Sequence, residues 1–157
     1  MIQKNPNRIK AGGKAGTPGG RSGVDTRPYP ARLLLIEDHA ALAEATAALL
    51  GRAGLEVRIA GSGEDALQMA IAFRPDIVLC DVNLPDMSGI EVGRALRRNP
   101  GTSGTLLVMH TAMSDTDLRI LEREMKTEEF DLFLSKPLTQ EKIDWLWTGL
   151  AAMRRSA

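Results

Sequence analysis

The sequence predicts an α/β fold, a doubly wound parallel sheet of five strands with helices on both faces. Three observations predict it. Short apolar runs recur five times along the chain, at Arg32–Ile36, Leu55–Ala60, Ile77–Cys80, Thr105–Thr111 and Phe130–Ser135. Between and after them lie segments whose apolar residues recur every three or four positions, the period of a helix buried along one side. The links are short and rich in Gly, Pro, Ser and Asp, so each strand is followed by a helix and the chain returns to the sheet in the same direction.

Each element has its own signature. Arg32-Leu33-Leu34-Leu35-Ile36 is continuously apolar and ends in Glu37-Asp38-His39, which reads as a strand buried on both faces. Ala40 to Ala53 is rich in Ala and Leu and stops at Gly54, the pattern of a helix. Leu55 to Ala60 is the second strand. Ser62 is placed to cap a helix through about Phe73, with Asp65 three residues on. Pro75-Asp76 leads into the third strand, which delivers Asp81 and breaks into a loop marked by Pro85 and Gly89. Gly89 to about Asn99 is a helix stopped by Pro100-Gly101. After the fourth strand, Ser114 or Asp115 caps a charged helix to about Thr127, with Leu118, Leu121 and Met125 on one face. The fifth strand ends at Lys136-Pro137, and Thr139 to about Arg154 is the last helix. Right-handed crossovers leave few topologies, and the flavodoxin-like order 2-1-3-4-5 is the common one at this size.

Composition sets the bounds. The 157 residues allow one domain of ordinary size, here 31–157, and a tail. Residues 1–30 hold six glycines, four prolines, six basic residues and one acid, without apolar periodicity. They are expected to be a disordered basic arm on a domain that carries fourteen bases and nineteen acids. No apolar run reaches the roughly 18 residues of a membrane helix, and no signal-peptide core is present, so a cytoplasmic location is expected. Cys80 is the lone cysteine and sits inside a strand, where it is expected to be a small core residue and not a reactive thiol.

In the order 2-1-3-4-5 the strand ends converge on one crevice, which collects Glu37 and Asp38 from the first strand, Asp81 from the third, Thr111 from the fourth and Lys136 from the fifth. Carboxylates about 4–6 Å apart repel by roughly 3–4 kcal/mol per pair at an effective dielectric near 20. A divalent cation relieves that repulsion, and an all-oxygen donor set favours Mg2+. A metal, a lysine and a hydroxyl around one carboxylate suit phosphoryl transfer to that carboxylate.

Together, Leu33-Leu34-Leu35-Ile36-Glu37-Asp38, Asp81 followed by Pro85 and Gly89, Thr111-Ala112 and Lys136-Pro137 resemble the receiver domain of two-component response regulators, over about Ala31 to Ala151. The resemblance implies that Asp81 accepts a phosphoryl group from a phosphohistidine on a histidine kinase or phosphotransfer protein. It implies that Asp38, Asp81 and the backbone carbonyl of Asn83 ligate Mg2+, with Glu37 acting mainly through a bound water. Lys136 would pair with phosphoryl oxygens, Thr111 would move to bond one of them, and Phe133 would be the aromatic switch that turns inward as it does. Asn83 and Met113 match positions that tune the lifetime of the acyl phosphate. The protein would then be a phosphoacceptor that assists its own phosphorylation and dephosphorylation, not an enzyme in the ordinary sense. It would signal through the fourth helix, fifth strand and fifth helix to an unidentified downstream protein, and is compatible with a phosphorylation-dependent dimer. With nothing after Ala157 to form an output domain, no direct contact with nucleic acid is expected. One departure stands out: Glu128-Glu129-Phe130 replaces the small Ala-Gly-Ala-like turn of similar domains, which predicts a more extended, more acidic turn.

Other readings are weaker. A constitutive interaction module with the same fold but no use for the phosphate is the alternative. Gly61-Ser62-Gly63-Glu64-Asp65-Ala66 fits a loose dinucleotide-binding pattern, but two acids would stand where a pyrophosphate should sit. Asp81-Val82-Asn83 lacks the second acid, and the place on the first strand, of a haloacid-dehalogenase-type hydrolase. His39 is expected on the loop after the first strand, and Met109 and His110 under the fourth helix. Trp145 points away from the apolar face formed by Ile143, Leu146, Trp147, Leu150 and Met153, and is either a docking anchor or a ring lying flat on its neighbours.

Overall fold

The computed structural model describes residues 30–125 and 129–156, so the expected arm before Pro30, the helix end expected at Thr127, Glu128 and Ala157 lie outside the described residues. The elements alternate as expected: β1 (Arg32–Ile36), α1 (Ala40–Arg52), β2 (Glu56–Ala60), α2 (Gly63–Phe73), β3 (Ile77–Cys80), α3 (Gly89–Arg98), β4 (Leu106–Thr111), α4 (Asp115–Glu124), β5 (Leu132–Ser135) and α5 (Gln140–Arg155). The strands form one sheet in the order β2-β1-β3-β4-β5, with every pair parallel.

Alternation along the central strands splits the core in two. Leu33, Leu35, Ile77, Leu79, Leu106 and Val108 pack under α1 and α5, with Leu50, Leu146 and Leu150. Leu34, Ile36, Val78, Leu107 and Met109 pack under α2, α3 and α4, with Phe73, Val92, Leu96 and Leu118. Such burial on both faces is why these strands read as unbroken apolar runs.

Polar side chains start the helices. His39, expected in the loop, is the N-cap of α1, its Nδ1 accepting the Leu42 N–H at 3.2 Å. Ser62 caps α2 through Asp65, Ser88 and Glu91 form a capping box on α3, and Ser114 and Thr139 cap α4 and α5. Each such cap contributes about 1 kcal/mol.

Three strands or helices are shorter than the sequence suggests. Thr105 belongs to the turn before β4, with its N–H on the Thr102 carbonyl and its hydroxyl on the Pro75 carbonyl. Leu55 completes the end of α1, donating to the Leu50 carbonyl, after Gly54 turns the chain at φ +94°. Phe130 and Asp131 build the turn that enters β5. His110 departs from expectation too. Met109 lies under α4, but adjacent strand residues face opposite ways, so His110 points to the α1 and α5 side with Val108.

Candidate functional site

The strand ladders continue past their last residues and place the polar groups. Asp81 N–H donates to the Ile36 carbonyl at 3.1 Å, which sets β3's terminal acid beside Glu37 and Asp38. Lys136 N–H donates to the Thr111 carbonyl at 2.7 Å, which sets β5's lysine at the end of β4. One carboxylate oxygen from each of Glu37, Asp38 and Asp81 lies within 4.8 Å of the others. Glu37 and Asp81 are buried, and Asp38 is exposed at the mouth.

Lys136 holds two of these acids. Its Nζ donates to Glu37 Oε2 at 2.5 Å and to Asp81 Oδ2 at 2.8 Å. Burial works against the ammonium charge, but the bonds to Asp81 and Glu37 and their negative charges outweigh it and raise the Lys136 pKa above the ordinary lysine value. The second oxygen of each acid takes a backbone N–H two residues on: Asp81 Oδ1 from Asn83 and Glu37 Oε1 from His39, both at 3.3 Å. The carboxylates are thereby oriented while keeping unused lone pairs, since an ionised carboxylate accepts about four bonds.

Thr111, which ends β4, is buried at the same rim. Gly89 opens α3 directly behind the site, where a Cβ would stand 2.1 Å from the Asp81 carbonyl oxygen. Of the residues picked from sequence, Glu37, Asp38, Asp81 and Lys136 come together, Thr111 borders them, and Asn83 joins through its N–H. Phe133 is buried in β5 beside Phe130, with ring centroids 6.1 Å apart.

Comparison with known proteins gives the arrangement its family. Residues 33–145 match the family model of the response regulator receiver domain. The chain belongs to that family. It is 38% identical over 106 residues to the DNA-binding response regulator MtrA of Mycolicibacterium paratuberculosis, covering 68% of this chain and 46% of that protein. The chain thus spans about half the length of the curated relatives it matches. A putative response regulator from Chloroflexus aurantiacus has a TM-score of 0.69 at 35% identity, over 78% of this chain and 98% of that one. The fold is also shared, at 22% identity and a TM-score of 0.66, with response regulator TrrA of Thermotoga maritima, solved in complex with Mg2+ and BeF; the match covers 76% of this chain and 98% of that one.

Several features of this receiver domain were invisible in the sequence. The Asp86 carboxylate accepts the N–H groups of Gly63 at 2.8 Å and Glu64 at 2.9 Å, and these bonds hold its pKa below the usual carboxylate range. The start of α2 is therefore occupied by the chain's own anion, which disposes of the dinucleotide reading. Ser135 Oγ donates to Asp115 Oδ1 at 2.5 Å, and Lys142 Nζ donates to the Ser135 and Pro137 carbonyls, joining the starts of α4 and α5 to the end of β5. The Lys136-Pro137 peptide is cis. Cys80 is buried as expected, its thiol pKa pushed up by burial and by the charges of Asp81 and Glu37. The signal for Asp86 lies in pairing an exposed loop acid with a helix start 23 residues away, and no local pattern records that pairing.

Proposed function

We propose that this receiver domain is a phosphorylation-controlled signalling switch in which Asp81 takes a phosphoryl group from a phosphohistidine on a histidine kinase or phosphotransfer protein. The observation that carries the reading is Lys136, bonded at once to Asp81 and Glu37 beside a third carboxylate. In the transfer, an Asp81 carboxylate oxygen attacks phosphorus, the P–N bond to the donor imidazole breaks, and the imidazole leaves with its electron pair and takes up a proton. Lys136, freed from part of its hold on Asp81, pairs with the incoming phosphoryl oxygens, and the Thr111 hydroxyl bonds one of them.

The donor set fits a divalent cation: three hard carboxylates within 4.8 Å, two of them sharing one lysine, leave net negative charge at the mouth. Asp38, Asp81 and the Asn83 carbonyl would hold Mg2+, and Glu37 would act through a water. Mg2+ supplies neutralisation of charge on the transferring phosphoryl oxygens. The Thermotoga maritima relative, solved with Mg2+ and BeF, is in keeping with this.

The output in this reading is a rearrangement of α4, β5 and α5 that reaches a downstream protein, with Thr111 and Phe133 as the moving pair and with a phosphorylation-dependent dimer as one form it takes. Trp145 and Ile120 expose apolar surface on these helices. MtrA is named DNA-binding, and the switch proposed here requires no direct contact of the receiver domain itself with nucleic acid. Residues 1–30 are proposed as an arm outside the switch, whose removal leaves phosphorylation intact.

The buried position of Phe133 favours a second reading, an interaction module whose surface does not depend on phosphate. The test is incubation with acetyl phosphate, or beryllofluoride, and Mg2+, followed by tryptophan fluorescence and intact mass. A phosphoryl adduct and a fluorescence change that both vanish in Asp81→Asn support the switch. Wild-type protein that shows neither supports the module.

A further inference from the structure

The loop between β3 and α3 must do two things: supply a backbone group next to Asp81 and stay in place while exposed. Its base is fastened locally, by the Gly89 N–H on the Val82 carbonyl at 2.8 Å and by pairing of Asn83 with Ser88. Its tip is fastened to a different element. Asp86 receives the N–H groups of Gly63 and Glu64, and Met87 lies so close over Gly63 that a Cβ there would stand 2.4 Å from the Met87 Cγ. These two N–H groups are among those a helix start leaves without an intrahelical partner, and a carboxylate is their best acceptor. The neighbouring Asp65 N–H is taken by Ser62, so the two side chains divide the helix start between them.

We propose that Asp86 is a positioning residue for the phosphoacceptor site, clipping the 83–88 loop onto α2 so that Asn83 is held where it meets Asp81 and the cation. The proposal rests on the phosphoacceptor reading above. Asp86 touches none of the reacting groups. It acts through Asn83, whose N–H already bonds Asp81 Oδ1 and whose carbonyl is the assigned metal ligand. Met87 supplies the apolar half of the clip and Asp86 the polar half. Groups that orient a metal ligand from behind typically change metal affinity by about 10–100-fold.

The test uses the full chain as wild type, Asp86→Ala and Asp86→Asn. Amide hydrogen exchange at Gly63 and Glu64 reads the clip directly, and the Mg2+ dependence of phosphorylation by acetyl phosphate reads its consequence. In Asp86→Ala both amides exchange faster, and the half-saturating Mg2+ concentration rises about tenfold, the low end of that range. The rate at saturating Mg2+ falls far less. Asp86→Asn, which keeps an oxygen but loses the charge, lies between. Faster exchange with an unchanged Mg2+ requirement would overturn the proposal and leave Asp86 as a helix cap. A wild-type protein that takes up no phosphoryl group at any Mg2+ concentration would instead overturn the phosphoacceptor reading, with the exchange data still reporting the clip.

Discussion

At Asp81 the demands of packing and of chemistry meet within a few ångströms. Gly89 is there because a Cβ would collide with the Asp81 backbone carbonyl, which belongs to no flexible side chain and cannot move aside cheaply. Gly89→Ala should therefore destabilise the domain by about 1–3 kcal/mol, read by urea unfolding, and should slow phosphoryl uptake as well, because β3's end shifts with it. Lys136 gives a pH prediction. Its folded-state pKa is raised, so its contribution to stability is complete below the ordinary lysine value of 10.5 and is lost only as pH rises through the higher folded value. Phosphoryl uptake assayed from pH 7 to 9 should show no loss attributable to Lys136, whereas Lys136→Met should lose uptake throughout. Glu37, Asp38, Asp81 and Lys136 were legible in the sequence because each stands where an apolar run stops. Asp86 and the inward His110 were not, since one depends on a distant helix start and the other on strand parity.

Among the elements, α3 and the turn into β5 depend on each other directly. Gly93 in α3 has no side chain because the Phe130 ring occupies that space, 2.8 Å from where a Cβ would lie. Four residues on, Arg97 donates to the Ser103, Thr105 and Glu129 carbonyls and to Asp131 Oδ2 at 2.6 Å. Asp131 also receives the Leu107 N–H and is nearly fully buried. The Glu129-Phe130 part of the unusual turn is thus bound to α3, with Glu129 also bonded to Arg94 at 3.1 Å. The sequence marks the turn as unusual but suggests a strand from Phe130, because an apolar residue next to a strand looks like the strand. Burial pushes the Asp131 carboxyl above the usual carboxylate range even with the Arg97 charge and bonds opposing the shift. A raised carboxyl favours the folded state below its ordinary value and loses that advantage as pH rises through the folded one. Arg97→Ala leaves Asp131 buried without its cation and should cost about 3 kcal/mol at pH 7 and visibly less at pH 5, measured by urea unfolding at both.

For the molecule as a whole, the two cores share one sheet, and a group buried in it is felt by the entire cooperative unit. His110 is 4% exposed with no partner for Nε2 among the described residues, and burial, followed by the charges of Lys136 and Lys142, lowers its pKa from 6.5 to about 4. A lowered histidine contributes fully above 6.5, and its contribution fades as pH falls toward 4, by about 3 kcal/mol in all. His110→Leu should remove that part of the acid sensitivity, seen as a flatter dependence of unfolding free energy on pH between 7 and 4. The sheet order was readable from the alternation of runs, and the face on which each core residue lies followed from parity once the strand boundaries were known. The bond between Lys136 and Glu37 spans 99 residues of chain. It joins the first strand made to the last, so during synthesis Asp81 emerges with its acidic neighbours long before the cation that balances them. A growing chain therefore holds an incomplete site until β5 has left the ribosome, and under the proposed function a phosphoryl donor would meet a competent acceptor only in a finished domain.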